Sequence, residues 1–376
     1  MAKVKLGDVA REFKSTVKDA ADLPNVGLEH LIPGEIELTQ WSEDSDNTFT
    51  KGFKKGHILF GRRRAYLKKA ASAPFDGICS GDITVIEALP DKILPELLPF
   101  VIQNDRFFDY AVENSAGSLS PRVKWEHLKH YEFELPEIQQ QKQMSALLWA
   151  MERVKSAYKE LIIKTDELVK SQFAEMFDKY KRTAVPLKTV CIKGPQNGFY
   201  RKGAEINGTV PVMKMKQLFG NESMSEANDC DLVAVTDTEL ERFLLTPDDL
   251  LFGRRSLVVE GAGKCRRVGN ITTQAVFESS MLRVTLDSNR IKPRYLQIWF
   301  DSEDGKSAIS GIRAVTTIAG IKGSDLANIE VPVAPVSVQE YFLEFVEQTD
   351  KSKFEAQQAL KAITDAQRAL MKKLFE

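Results

Sequence analysis

The residues of this chain best suited to chemistry are its histidines, one glycine-rich run ending in lysine, and two separated acidic runs. His127 and His130 stand three apart, a spacing used in zinc sites. No cysteine or third histidine lies nearby to complete one, so they read as ordinary surface histidines. Gly261-Ala262-Gly263-Lys264-Cys265 approaches a phosphate loop but departs from it twice. Val258 takes the place of the first glycine, and Cys265 the place of the hydroxyl that would bind magnesium. The run reads as a turn. Pro247-Asp248 and Asp304-Gly305-Lys306 have the residue types of a nuclease centre, yet the stretch between them is long for that motif. A loop with a charged glycine turn is the better reading. There is no G-x-G-x-x-G dinucleotide loop and no Asn/Asp-Pro-Pro-aromatic run of the kind that grips a flipped base. No familiar catalytic or metal centre emerges, which leaves an unfamiliar one open.

The chemistry that the sequence does concentrate is cationic. Between Asn47 and Phe75 lie Lys51, Lys54, Lys55, Arg62, Arg63, Arg64, Lys68 and Lys69, with no acidic residue among them. Arg254, Arg255, Lys264, Arg266 and Arg267 form a second cluster interrupted only by Glu260. On a chain whose net charge is −1, local basic clusters mark confined phosphate-binding faces. The two clusters are also copies. Leu59-Phe60-Gly61-Arg62-Arg63 returns 192 positions later as Leu251-Phe252-Gly253-Arg254-Arg255. Other landmarks recur at similar, slowly drifting offsets: Leu6 with Leu187, Val26 with Val212, Val85 with Val284, Gln141 with Gln339, and Phe177 with Phe375. Ordered offsets of this kind indicate a duplicated domain rather than a short-period solenoid.

The elements that must hold these clusters can be read in outline. His57–Phe60, Asp82–Ile86 and Tyr131–Leu135 read as strands, and Ser280–Thr285 and Asn328–Val333 as their later counterparts. Residues 137–183 and 336–376 contain neither proline nor glycine, and each is expected to form one helix roughly 60 to 70 Å long. In the first, Met144, Leu147, Met151, Val154, Tyr158, Leu161, Thr165 and Leu168 trace a heptad seam. In the second, Phe342, Phe345, Thr349, Ser352, Ala356, Ala359, Ile363, Ala366 and Leu370 do so. The expected fold is α+β: two similar globular domains, residues 1–136 and 182–335, separated by two long antiparallel coiled-coil helices, residues 137–181 and 336–376. Chain order then predicts a dumbbell.

Composition agrees with an ordinary folded protein. The apolar share of 43 % and charged share of 28 % exclude a disordered chain. No apolar run approaches the roughly 18 to 20 residues that span a bilayer, and no signal peptide is evident. Cys79, Cys191, Cys230 and Cys265 show neither clustering nor C-x-x-C spacing, as expected for reduced thiols in a cytoplasmic protein.

Across nearly its whole length the chain resembles the specificity subunits of type I restriction–modification systems. Lys5-Leu6-Gly7-Asp8-Val9 is similar to the family's opening run. Gly56-His57-Ile58-Leu59-Phe60-Gly61-Arg62 resembles its G-D-I-L-F segment, with His57 where aspartate is common, and the second copy keeps that aspartate as Asp249. Leu135-Pro136 to Gln141 and Val333-Ala334-Pro335 to Gln339 resemble its two junctions into long helices, with Ala334 at a usual proline. The resemblance implies a non-catalytic subunit that reads double-stranded DNA, each target-recognition domain taking one half of a split target. It implies two methyltransferase subunits using S-adenosylmethionine, and motor-nuclease subunits using ATP and magnesium. It implies no cofactor in this chain and no membrane partner.

Arginine grips phosphate in a fork and reads guanine in the major groove. The DNA-contact candidates in the first copy are therefore Arg62, Arg63, Arg64, Lys68 and Lys69, and in the second Arg254, Arg255, Lys264, Arg266 and Arg267. A second loop in each copy adds hydroxyls and cations: Ser118, Ser120, Arg122 and Lys124 in the first, Arg313, Thr316 and Thr317 in the second. The residues alone leave two alternatives open, a single-chain nuclease with an unfamiliar site and a coiled-coil scaffold without DNA readout.

Overall fold

The apolar runs around Leu59 and Val85 become neighbouring strands because both faces of their sheet are covered, which removes the need for polar alternation. A computed structural model describes all residues except 1, 18–22, 45–46, 201–207, 220–229, 270, 272 and 376. The chain divides into two units. The first is Met1–Leu161 with Glu355–Glu376, and the second is Ile162–Phe354.

In the first unit Ala10–Glu12, Ile83–Ala88, Ile58–Gly61 and Ala70–Ser72 form an antiparallel four-stranded sheet in that spatial order. Ile58 and Phe60 pack on one face, in a core that holds Leu6, Phe107, Phe108, Tyr131 and Phe133. Leu59 and Val85 pack on the other, with Val26, Phe53 and Cys79 from a second, three-stranded sheet. Strand Ala2–Lys5 closes the unit by pairing with Glu132–Leu135.

The second unit repeats the four-stranded sheet and the closing ladder of the first. Cys191–Asn197, Met281–Leu286, Asp249–Gly253 and Cys265–Arg267 form its four-stranded sheet. Val185–Pro186 pairs with Glu330–Val331 as the closing ladder. That ladder occupies only two residues of the run Asn328–Val333 that reads as a strand in sequence. Leu250 and Phe252 enter one core and Leu251 the other, the same division as at Ile58, Phe60 and Leu59.

The two long helices are α1 (Ile138–Phe177) and α2 (Val336–Phe375). Each starts against a globular part through one buried glutamine. Gln141 accepts from the Leu94 amide at 2.8 Å and donates to the Pro136 carbonyl at 2.9 Å. Gln339 accepts from the Lys292 amide at 2.8 Å and donates to the Ala334 carbonyl at 2.7 Å. Each unit also takes in the end of the other helix. Phe375 lies in the first unit's core near Phe133, and Phe177 lies in the second unit's core against Tyr295 and Phe342. Within each unit the helices therefore run antiparallel, as the sequence leads one to expect.

The seam itself differs from the sequence reading. Thr165 is buried as expected and Met144, Met151 and Tyr158 are half-buried, but Leu147, Val154, Leu161 and Leu168 are about half exposed, whereas Gln141, Ser145, Leu148, Glu152 and Lys155 are buried. The first helix thus faces its partner about one position off the apolar heptad. In the first unit Lys155 Nζ bonds Glu152 at 2.7 Å and Gln367 at 2.8 Å, and Gln367 bonds Glu152 in turn at 3.1 Å. In the second helix Phe342, Thr349 and Ala356 are buried as expected, while Ser352 and Ala366 are exposed. Among the described residues no helix is long and apolar enough to cross a membrane.

Candidate nucleic-acid interface

Gly61 ends the central strand of the first unit, and the next residues are pinned by backbone bonds. The Arg62 amide donates to the Asp82 carbonyl at 3.0 Å, and the Arg64 amide to the Pro121 carbonyl at 2.8 Å. Arg64 adopts φ 55°, a left-handed conformation that costs a non-glycine residue about 1–2 kcal/mol. Lys68, at φ 52°, closes the same turn. Opposite this turn, Ala116 and Arg122 exchange two backbone hydrogen bonds of 2.9 Å and tie off a tight loop at residues 117–121. Arg63 pairs with Arg122 as an isolated bridge. The sheet edge and the loop, far apart in sequence, thus form one surface.

One carboxylate organises it. Asp82 accepts both guanidinium branches of Arg122, at 2.8 and 3.2 Å, and lies 3.6 Å from Arg63 Nη1. Arg63 also donates to Ser120 Oγ at 3.1 Å. The Arg122 hydrogen bonds hold the Asp82 carboxyl below its ordinary value, and the charges of Arg63 and Arg62 add to this against a partial desolvation. The carboxylate stays ionised and keeps the arginines aligned, with positive charge in excess. The Nε atoms of Arg62 and Arg63 are buried and make no hydrogen bond.

The structure brings together Arg62, Arg63, Ser120 and Arg122, with Arg64 held to the same loop through its backbone. Ser118, within that loop, and Lys124, just beyond it, are exposed. Lys68 is ion-paired with Asp105, and Lys69 donates to the Leu28 carbonyl at 2.6 Å, so both lysines have internal partners.

In the second unit the same arrangement is built with more strand. Arg255–Ser256, Ala319–Gly320 and Ala314–Val315 form a small three-stranded sheet in which Gly320 takes the position of Arg122. The Arg254 amide donates to the Ser280 carbonyl at 2.7 Å, and Ile321 donates back to the Arg254 carbonyl at 3.0 Å. Arg255, Thr316 and Thr317 are exposed. Arg254, Arg255 and Thr316 line a groove of about 620 Å³ together with Asn197, Lys322 and Asp325. Arg313 borders the hairpin and donates to the Ala262 carbonyl at 2.9 Å.

The remaining cations are held elsewhere. Arg266 lies on the edge strand and pairs with Asp301 at 3.1 Å. The Arg267 amide donates to Gln297 at 2.9 Å, and its side chain is half-buried. Lys264 sits over the Phe219 ring at 5.2 Å, where burial and then Arg266 lower its pKa. The backbone pairing places Ala71 and Ser72 at the positions of Arg266 and Arg267 in the first unit. Gly261–Cys265 forms the turn entering this edge strand, with Gly263 at φ 84°.

The sequence reading starts a strand at Asp82 but gives it no part in the site. The signal available was its place in Ser80-Gly81-Asp82, the turn directly before the strand that pairs with Leu-Phe-Gly. No family model matches the chain. Two curated relatives do. The Type I restriction enzyme EcoKI specificity subunit of Escherichia coli (strain K12) is 24% identical over 186 residues, covering 48% of this chain and 39% of the relative. The Type I restriction enzyme EcoDI specificity subunit of Escherichia coli is 27% identical over 144 residues, covering 36% and 31%. The chain is similar to type I restriction specificity subunits. It matches less than two-fifths of the length of either relative.

Solved structures show the same fold over the whole chain. The type I restriction–modification S subunit from M. genitalium aligns with a TM-score of 0.56 at 13% identity, covering 100% of this chain and 96% of that one. A chain from a type I system studied for complex assembly and conformational transition aligns with a TM-score of 0.58 at 18% identity, covering 99% and 97%. Two domains of mixed strand and helix with a central coiled coil are therefore the fold class, in agreement with the expectation from sequence.

Proposed function

We propose that this chain is the DNA-reading specificity subunit of a type I restriction–modification complex, each globular part reading one half of a split duplex target. One observation carries this reading. The same construction, an arginine pair at the end of a central strand joined to a hairpin, is built twice on equivalent sheets. A duplicated cationic surface suits a partner that itself presents two similar sites along one polyanion.

The contact set is Arg62, Arg63, Arg64, Ser118, Ser120, Arg122 and Lys124 in one unit, and Arg254, Arg255, Arg313, Thr316 and Thr317 in the other. Lys68, Lys69, Lys264, Arg266 and Arg267 serve the fold. The chain catalyses nothing itself. Two methyltransferase subunits supply S-adenosylmethionine chemistry, and motor-nuclease subunits bring ATP and magnesium. An exposed apolar line on the first unit's helix, Leu147, Val154 and Leu161 at seven-residue intervals, supports a helical segment of a methyltransferase subunit as its neighbour.

The test is methyl transfer and duplex binding with the purified chain, alone and with its methyltransferase subunits. The expected outcome is transfer only when both are present, with affinity falling as salt rises by a log–log slope of about −0.9 per phosphate contact. Cleavage or methylation by the chain alone would establish an enzyme. Duplex binding that ignores salt would establish a scaffold.

A further inference from the structure

Among the described residues the two most exposed large apolar side chains are Leu119, at 90 %, and Leu257, at 84 %. One lies in each unit, and each lies within the arginine-and-hairpin surface. Leu119 is at the tip of the loop tied off by Ala116 and Arg122, and Leu257 follows Arg254-Arg255-Ser256. Exposure of a single leucine needs no explanation. The coincidence of both extremes with the two equivalent basic surfaces does.

Leu119 is not on a loose tether. Two Ala116–Arg122 backbone bonds close its loop, Gly117 makes the turn at φ 113°, and Pro121 accepts from the Arg64 amide. Arg63 binds the adjacent Ser120. The result is a narrow, braced ribbon with an apolar tip and guanidinium groups at its base. The major groove of duplex DNA admits a two-stranded ribbon, and its base-pair edges carry one kind of apolar group, the C5 methyl of thymine. Phosphates flank that groove on both sides, where the arginines of the ribbon's base would meet them.

Resting on the DNA-reading function, we propose that Leu119 is a specificity-determining residue that reads the methyl group of a thymine in the half-site of the first unit. The arginines supply affinity, and the leucine tip supplies preference at one base pair.

The experiment selects duplexes from a randomised pool with the full chain assembled with its methyltransferase subunits, comparing wild type and Leu119→Ala. Because the side chain is exposed, the variant keeps its fold. Wild type is expected to enrich thymine at one position of one half-site, and Leu119→Ala to lose that preference alone. Deoxyuridine at that position, which lacks only the methyl, should weaken wild-type binding about fourfold, the worth of one buried methyl, and leave Leu119→Ala unaffected. Three results overturn the assignment while leaving DNA reading intact. They are identical selected targets, equal losses by wild type and variant on deoxyuridine, and a Leu119-dependent rise in 2-aminopurine fluorescence that marks insertion into the base stack. A wild type that selects no sequence overturns the DNA-reading function itself.

Discussion

His57 and Asp249 show how one position can be filled by two chemistries. Both stand two residues before the Leu-Phe of their strands, and both accept a hydrogen bond from the backbone three residues earlier. His57 Nδ1 takes the Lys54 amide at 3.1 Å, and Asp249 takes the Thr246 amide at 2.7 Å. The shared requirement is an acceptor, which a neutral imidazole or a carboxylate meets equally. Burial lowers the His57 pKa below its ordinary 6.5, partly offset by Glu87. A histidine depressed in the folded state favours folding fully above 6.5, where it is neutral in both states. Below 6.5 the unfolded chain gains the proton first, and stability falls. His57→Asn keeps an uncharged acceptor, so its melting temperature should drop less than that of wild type between pH 7 and pH 5. Parallel melting curves across that range would show that His57 does not titrate on unfolding. At this scale the arginines were legible because they repeat beside the same Leu-Phe-Gly. Asp82 and Leu119 were not, because only the sheet brings residues near 62, 82 and 120 together.

The long helices were legible as elements, since a run without proline or glycine and flanked by Pro136 or Pro335 has few other outcomes. Their seam was not. Apolar spacing points to Leu147, Val154 and Leu161, yet the buried line includes Glu152 and Lys155, which no hydrophobic pattern selects. These two satisfy each other and Gln367 across the pair, so the seam tolerates polar residues that periodicity counts as surface. Removing one partner from a buried charged group leaves the other uncompensated and costs about 3–5 kcal/mol. Lys155→Ala should therefore lower the urea midpoint of the full chain substantially. Replacing Glu152, Lys155 and Gln367 together by leucine should cost little or raise stability, while weakening the registry that a unique polar contact imposes. A Lys155→Ala chain as stable as wild type would mean that water already satisfies Glu152.

At the scale of the whole molecule the duplication is the organising fact. Matching strands, matching helix-anchoring glutamines and matching terminal phenylalanines give two units with one plan. The arginine-bearing surfaces then diverge in detail: Asp82 braces one, a three-stranded sheet the other. Similar plan with different detail is what reading two different half-sites asks for. The most direct measurement is a map of methylated sites in genomic DNA from cells carrying wild type, Arg62→Ala/Arg63→Ala/Arg64→Ala, or Arg254→Ala/Arg255→Ala. Wild type is expected to give two specified blocks at fixed separation, with the first variant relaxing one block and the second variant the other. Equal relaxation of both blocks by either variant, or relaxation of the same block by both, would contradict one half-site per copy.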